Sequence, residues 1–215
     1  MSFTTNELLN RNKEPGCFGI TAERKYYNLG HSFIKRSLRR REWQVSPIRG
    51  TIIVPRMNEQ RLQNEAATLN FIRQHTNVPV PKVLACFEDD EAIYLITECI
   101  QGVDMSELEE EQKKVVQAEL ETHRANIRSS RLGGPSGIAV PPYRAIEATF
   151  RNEWKLKDGV HDQYVFCHND LSQNNVMVDP ATLEIKAILD WEYAGFWPEW
   201  FDAKYYPFVQ GPQLL

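Results

Sequence analysis

"FCHNDLSQNNVMVD", Phe166 to Asp179, is the stretch on which the reading of this chain turns. It packs one His, two Asp, three Asn, a Gln and a Ser into fourteen residues. Such polar density marks a turn, yet it runs straight into a strand-like Val176-Met177-Val178. The next stretch, "PATLEIKAILDW" from Pro180 to Trp191, offers a turn over 179–182 and then a second apolar run, "EIKAILD". Together the two runs predict a β-hairpin. Strict alternation along the second strand puts Ile185, Ala187 and Leu189 on one face, and Lys186, Ile188 and Asp190 on the other. A hairpin brings its second strand back to where its first began. Asp190 is therefore expected beside the polar loop, facing Asn175.

That convergence has chemical content. The Asn175 side-chain carbonyl and the Asp190 carboxylate are hard oxygen donors. They suit Mg²⁺, which takes one or two protein carboxylates and completes its shell with water and substrate phosphates. Asp170 would stand nearby, able to accept a proton from an attacking hydroxyl. His168, two residues earlier, is better placed to brace the loop than to act as the base. His168-x-Asp170-x₄-Asn175, followed by a hairpin that ends in Asp, is the arrangement of phosphoryl transfer in the kinase class.

Working outward, "QYVFC" predicts a short strand feeding the loop, and residues 145–160 read as weakly helical. Upstream, Leu62, Ala66, Leu69 and Ile72 fall at helical spacing over 58–75. Pro79 and Pro81 then favour extended backbone. "KVLACFEDDEAIYLITECI" predicts two strands joined by an acidic turn over 88–91, with Gln101-Gly102 ending the second. "HSFIKRSL" predicts a strand with Lys35 inside it, and "GTIIVPRM" a β-branched run stopped by Pro55. The stretch 104–129 predicts one long helix. Ser106 and Glu109 would form its capping box, and Val116, Leu120, His123 and Ile127 its buried stripe. The basic run "KRSLRRREW", Lys35 to Trp43, reads as a solvated strand end or loop.

With these motifs in place, the chain resembles the aminoglycoside phosphotransferase and choline kinase-like superfamily. "HNDLSQNN" is similar to its catalytic loop and "AILDWEYAG" to its metal-binding segment. Asp190-Trp191-Glu192 stands where protein kinases have Asp-Phe-Gly, and favours a small-molecule kinase. "TNVPVPKV" and "DWEYAGFWPEWF" look like the fungal phosphotransferase-domain proteins. The resemblance implies an α+β, two-lobed protein-kinase-like fold. A small mixed N-lobe over 1–98 would form the ATP side. A short, mainly helical C-lobe over 99–215 would carry the catalytic loop and the acceptor side. It implies ATP and Mg²⁺ as cofactors. It assigns Asp170 and His168 to the catalytic loop, Asn175 and Asp190 to the metal, Lys35 to the phosphates with Glu65 pairing and orienting it, and the backbone around Glu98 and Ile100 to adenine.

There are departures from the family pattern. "YNLGHSF" offers one glycine, Gly30, where a phosphate-covering loop is glycine-rich. Asn169 stands where relatives usually have Gly, and Asn tolerates unusual backbone angles. The acceptor-side segments are short, which leaves room for a protein partner or oligomer to complete them. The alternative is a catalytically weak pseudokinase that binds a nucleotide or a partner. From Trp191 to Phe208 run nine aromatics, with Glu192, Glu199 and Asp202 among them. They read as packing, though a cationic acceptor is compatible with them.

Bulk composition narrows the remaining classes. At 215 residues and 42% hydrophobic, the chain can build a real core. A net charge of −4 argues against a nucleic-acid partner. The polar start "MSFTTNELLNRNKEPG" does not look like a secretory segment. No apolar run approaches the roughly 18 residues of a membrane span. The four cysteines form no CxxC pair and read as free thiols of a cytoplasmic protein.

Overall fold

A computed structural model describes residues 13–46, 48–123, 128–129, 131–142 and 164–198. The weak helix expected over 145–160 lies outside them, as do Trp200, Phe201, Tyr205, Tyr206 and Phe208 of the aromatic run. The chain divides into two compact units. One comprises residues up to 63 together with 83–99; the other comprises 64–82 and the chain from 100 onward.

The first unit is built on one antiparallel sheet of five strands, ordered β1-β2-β3-β5-β4. They are β1 (Cys17–Ile20), β2 (Arg24–Asn28), β3 (Ser32–Ser37), β4 (Val83–Asp89) and β5 (Ala92–Glu98). The Asp90-Glu91 turn joining β4 to β5 has φ of 44° and 59°. That positive-φ pair is what a two-residue hairpin requires to match strand twist. β1 and β2 were not anticipated from the sequence. The "GTIIVPRM" strand does not form: Ile52 makes a single bridge to Val45, and Ile52 and Val54 are exposed. A β-branched run without a partner strand has nothing to pack against.

The basic run is solvated only in part, at Arg40 and Arg41. Arg36 is 1% exposed and sits in a buried ionic network. Its Nη1 and Nη2 lie 2.6 and 3.0 Å from Glu42, and Nη2 lies 3.0 Å from Glu14. Lys25, also buried, donates to Glu14 (3.0 Å) and Glu42 (2.8 Å). Tyr27 donates to Glu14 and accepts from Arg36 Nε at 3.2 Å. Two buried cations thus face two carboxylates, the condition under which buried charge is tolerated. Burial would raise the Glu42 carboxyl. The hydrogen bonds from Arg36, Lys25 and the Arg39 backbone outweigh it and hold Glu42 well below the carboxylate range. Glu14 is lowered in the same way, against its own burial, by Tyr27, Lys25 and Arg36.

The division between the units falls inside helix α1 (Asn58–His75), whose bounds match the apolar spacing. In the second unit α1 contributes the buried Ala66, Leu69 and Ile72, followed by Val78 and Val80. Burying each large aliphatic side chain is worth about 1.5–3 kcal/mol. Two small antiparallel sheets follow, ordered β10-β9-β6 and β11-β8-β7. The first joins β6 (Val103–Asp104), β9 (Val176–Val178) and β10 (Ile185–Ile188). The second joins β7 (Arg128–Ser129), β8 (Tyr164–Cys167) and β11 (Gly195–Trp197). The described residues of this unit therefore mix helix with sheet rather than being mainly helical.

The long helix expected over 104–129 is shorter, and its capping box lies elsewhere. A 3-10 turn at Met105–Glu107 precedes α2 (Glu110–Thr122). The Glu109 N–H is taken by Gln112 Oε1 at 3.0 Å, not Ser106 by Glu109. His123 ends the helix, half-buried, with Nε2 3.3 Å from Glu119. No helix among the described residues is long and apolar enough to cross a membrane.

Candidate active site

The predicted hairpin exists as β9 and β10, with one irregularity that matters. The register slips between Ile185 and Ala187, so Ile185 pairs with Val178 and Ile188 with Val176. This bulge puts Ile188 on the face of Ile185, and both are buried. The simple alternation, which set Ile188 on the face opposite Ile185, fails for that reason. The strand ends at Ile188, and Leu189 and Asp190 lie in a loop.

That loop is tied to the polar stretch by two hydrogen bonds, and two more brace the stretch itself. Leu189 N–H donates to Asn175 O at 2.8 Å. His168 Nε2 lies 2.8 Å from Leu189 O. Asp170 N–H lies 3.2 Å from His168 Nδ1. Asn175 Nδ2 donates to Asp170 O at 2.8 Å. The ring closes through Asp170, His168, Leu189 and Asn175, and Asp190 is the next residue. The structure thus gathers Asp170, Asn175 and Asp190 around one set of backbone contacts.

The same bonds fix the state of His168. A carbonyl at Nε2 requires a proton there, and an N–H at Nδ1 requires a lone pair there. His168 is therefore the neutral Nε2–H tautomer, engaged on both nitrogens and buried against Trp191, their ring centroids 4.4 Å apart. It braces the loop and has no geometry for removing a substrate proton.

Asn175 spends its amide N–H on Asp170 O, which leaves Oδ1 as the atom suited to a cation. Asp190 adds a half-buried carboxylate with φ 60° and ψ 49°, a left-handed conformation that Asp adopts more readily than most residues. The donor set is all oxygen and supplies few protein ligands, which fits Mg²⁺. Among the described residues no group of three or more His, Cys, Asp or Glu could hold a metal ion. Asn169 also lies at φ 67°. Its Nδ2 holds Tyr193 O at 2.9 Å, a bond a glycine there could not make.

Sequence reasoning did not single out Asp104. It lies on β6, opposite Met177 in register. Burial, together with the charges of Glu107 and Asp190, raises its carboxyl above the ordinary range. The signal was Gly102: a Cβ there would lie 2.5 Å from Val178 O, so the glycine permits β6 to approach β9. The aromatics at 191–197 form a 3-10 turn (Trp191–Tyr193) and strand β11. Phe166 and Trp191 stack at 6.1 Å, and Trp191 Nε1 donates to Ile188 O at 2.8 Å.

The remaining candidates lie away from this ring in sequence. Lys35 is on β3 between Tyr26 and Leu95 in register. Glu98 ends β5, and Ile100 follows Cys99 in the break before Gln101-Gly102. Glu65 is buried on α1.

Comparison with known proteins agrees with the motif. Residues 136–205 match the model of a phosphotransferase enzyme family. The aminoglycoside 3'-phosphotransferase of Streptomyces fradiae is 27% identical over 166 residues, covering 64% of this chain and 62% of that protein. The enzyme of the same name from Streptomyces ribosidificus is 27% identical over 171 residues, with the same coverage. This chain thus spans a little over three-fifths of the length of those curated relatives. Among solved structures, aminoglycoside phosphotransferase APH(3'')-Id of Streptomyces rimosus superposes with a TM-score of 0.57 at 15% identity, covering 89% of this chain and 76% of that one. The ternary complex of a thermostable APH(4)-Ia mutant with AMP-PNP and hygromycin B gives 0.53 at 20% identity, covering 84% and 66%. The resemblance to the aminoglycoside phosphotransferase superfamily holds in sequence, and the kinase-like α+β fold holds in structure.

Proposed function

We propose that this chain, with the fold and catalytic-loop motif of the aminoglycoside phosphotransferases, is an ATP- and Mg²⁺-dependent kinase of small molecules. It moves the γ-phosphate to a hydroxyl of an amine-bearing acceptor. The observation that carries this reading is the hydrogen-bonded ring through His168, Asp170, Asn175 and Leu189, which delivers Asp190 to the catalytic loop.

Each residue then has a role. Asp170 takes the proton of the attacking hydroxyl. His168 holds the Asp170 backbone and the residue before Asp190. Asn175 Oδ1 and the Asp190 carboxylate would hold Mg²⁺. The ion, when bound, supplies charge neutralisation on the phosphate oxygens. On the nucleotide side, Lys35, Glu65 and the backbone at Glu98 and Ile100 keep the assignments that the resemblance gives them. Residues 1–98 then serve the nucleotide and 99–215 the acceptor. The amine-bearing acceptor is drawn from the aminoglycosides in the names of the relatives.

The test is ATP consumption over a panel of aminoglycosides, aminosugars and amino-alcohols, with Asp170→Ala as control. Acceptor-dependent turnover that disappears in the variant supports the reading. Equal silence of the folded wild type and variant across the panel overturns it.

A further inference from the structure

Asn64 lies on α1, one residue before Glu65, and is fully buried. Its side chain makes three hydrogen bonds, none within its own helix. Nδ2 donates to Glu192 O at 3.1 Å and to Ala194 O at 2.9 Å. Oδ1 accepts from Ser136 Oγ at 2.7 Å. The amide orientation is unambiguous, because two carbonyls demand the NH₂ end. Ser136 Oγ also accepts the Ile138 N–H at 3.1 Å, which directs its proton at Asn64. A Cβ at Gly134 would lie 2.0 Å from Asn64 Oδ1, so the glycine is what lets the loop close on the amide.

The two carbonyls that Asn64 holds flank Tyr193, whose own carbonyl belongs to Asn169. Three successive carbonyls of the segment after Asp190 are thus held by two buried amides, one from α1 and one from the catalytic loop. Upstream, Ile188 O goes to Trp191 Nε1 and Leu189 O to His168. The segment has no strand partner between Ile188 and Gly195, so side chains set its path. An apolar residue would fill the site of Asn64 at lower desolvation cost. What an amide adds is direction: it fixes where the backbone runs two residues beyond Asp190.

The geometry points to Asn64 as a positioning residue for Asp190, clamping the metal-binding segment to α1 and so setting the affinity for the divalent cation. This rests on the phosphotransferase reading for the role of Asp190. Its test needs no turnover.

In the full chain, Mn²⁺ binding in the presence of ADP is followed by electron paramagnetic resonance, and amide exchange is followed over 191–197 and over β9. Asn64→Ala should weaken Mn²⁺ binding about 10- to 100-fold, as loss of an outer-shell partner typically does. It should also speed exchange over 191–197 while leaving β9 unchanged. Gly134→Ala, which drives a methyl into the amide, should act in the same direction. The double variant should bind about as weakly as Asn64→Ala alone, because the methyl then meets only Ile138 O, at 3.1 Å. If Asn64→Ala does not fold, Ser136→Ala removes one of the three bonds and should give the same pattern more weakly.

Mn²⁺ affinity within twofold of wild type in the folded variants overturns the inference. So does exchange that rises equally in β9 and 191–197, since that is general loosening. A wild type that binds Mn²⁺ with ADP yet transfers no phosphate would overturn the proposed function and leave the clamp standing. A wild type that binds no Mn²⁺ would overturn both.

Discussion

Glu42→Gln removes one carboxylate from the buried network of the first unit. Its oxygens meet Arg36 at 2.6 and 3.0 Å, Lys25 at 2.8 Å and the Arg39 N–H at 2.9 Å. Arg36 is 1% exposed and Lys25 3%, so neither can turn to water once its partner is gone. Breaking a buried pair from one side typically costs about 3–5 kcal/mol. The loss expected here is at the lower end, about 3 kcal/mol, because Glu14 keeps a contact with each cation. Against a total of about 5–15 kcal/mol for a domain, that is a large fraction. Urea unfolding followed by circular dichroism measures it, with the slope checked for constancy. The folded carboxyls of Glu42 and Glu14 lie below the ordinary value of 4.5. Their contribution is therefore present above pH 4.5 and drains away as pH falls below it. Glu42→Gln should flatten that acid limb as well as lower stability at neutral pH. A loss under 1 kcal/mol with an unchanged acid limb would refute the account of the network.

Two further outcomes follow from the second unit. His168→Gln should lower kcat by about 10- to 100-fold, the range seen on losing an outer-shell partner, without moving the pH at which activity rises, because His168 is a neutral brace. A pH–rate profile that loses an inflection in the variant would make His168 the base instead. Gly102→Ala puts a methyl 2.5 Å from Val178 O. It should cost about 1–3 kcal/mol as an overpacked contact, read as a lower urea midpoint.

Much of the site was legible because its logic is local. The polar loop, the hairpin and the terminal Asp lie within one continuous run, and a hairpin has only one way to return. Helix α1 was legible for the same reason, since its apolar spacing continues unbroken to His75. What escaped depends on partners distant in sequence. Arg36 looks like one more surface arginine until Glu14 and Glu42 converge on it. The run over 51–57 has the composition of a strand but meets residues 44–46 only through one bridge and its flanking backbone bonds. The β10 bulge, which moves Ile188 onto the buried face, leaves no mark in an alternating sequence. Asn64 is silent too, because its role comes from carbonyls about 130 residues away.

Asp170, Asn175 and Asp190 are proposed to form one phosphoryl-transfer site. This is tested most directly by following γ-phosphate transfer to an accepted hydroxyl compound by ³¹P NMR, with Mg²⁺ varied, in wild type, Asp170→Asn and Asp190→Asn. The account predicts a new phosphate-ester signal in the wild type that depends on Mg²⁺. It predicts rates at least about 10²-fold lower in Asp170→Asn, the low end of what a positioned base contributes, and a raised Mg²⁺ requirement in Asp190→Asn. Transfer by both folded variants at the wild-type rate and Mg²⁺ requirement would contradict it.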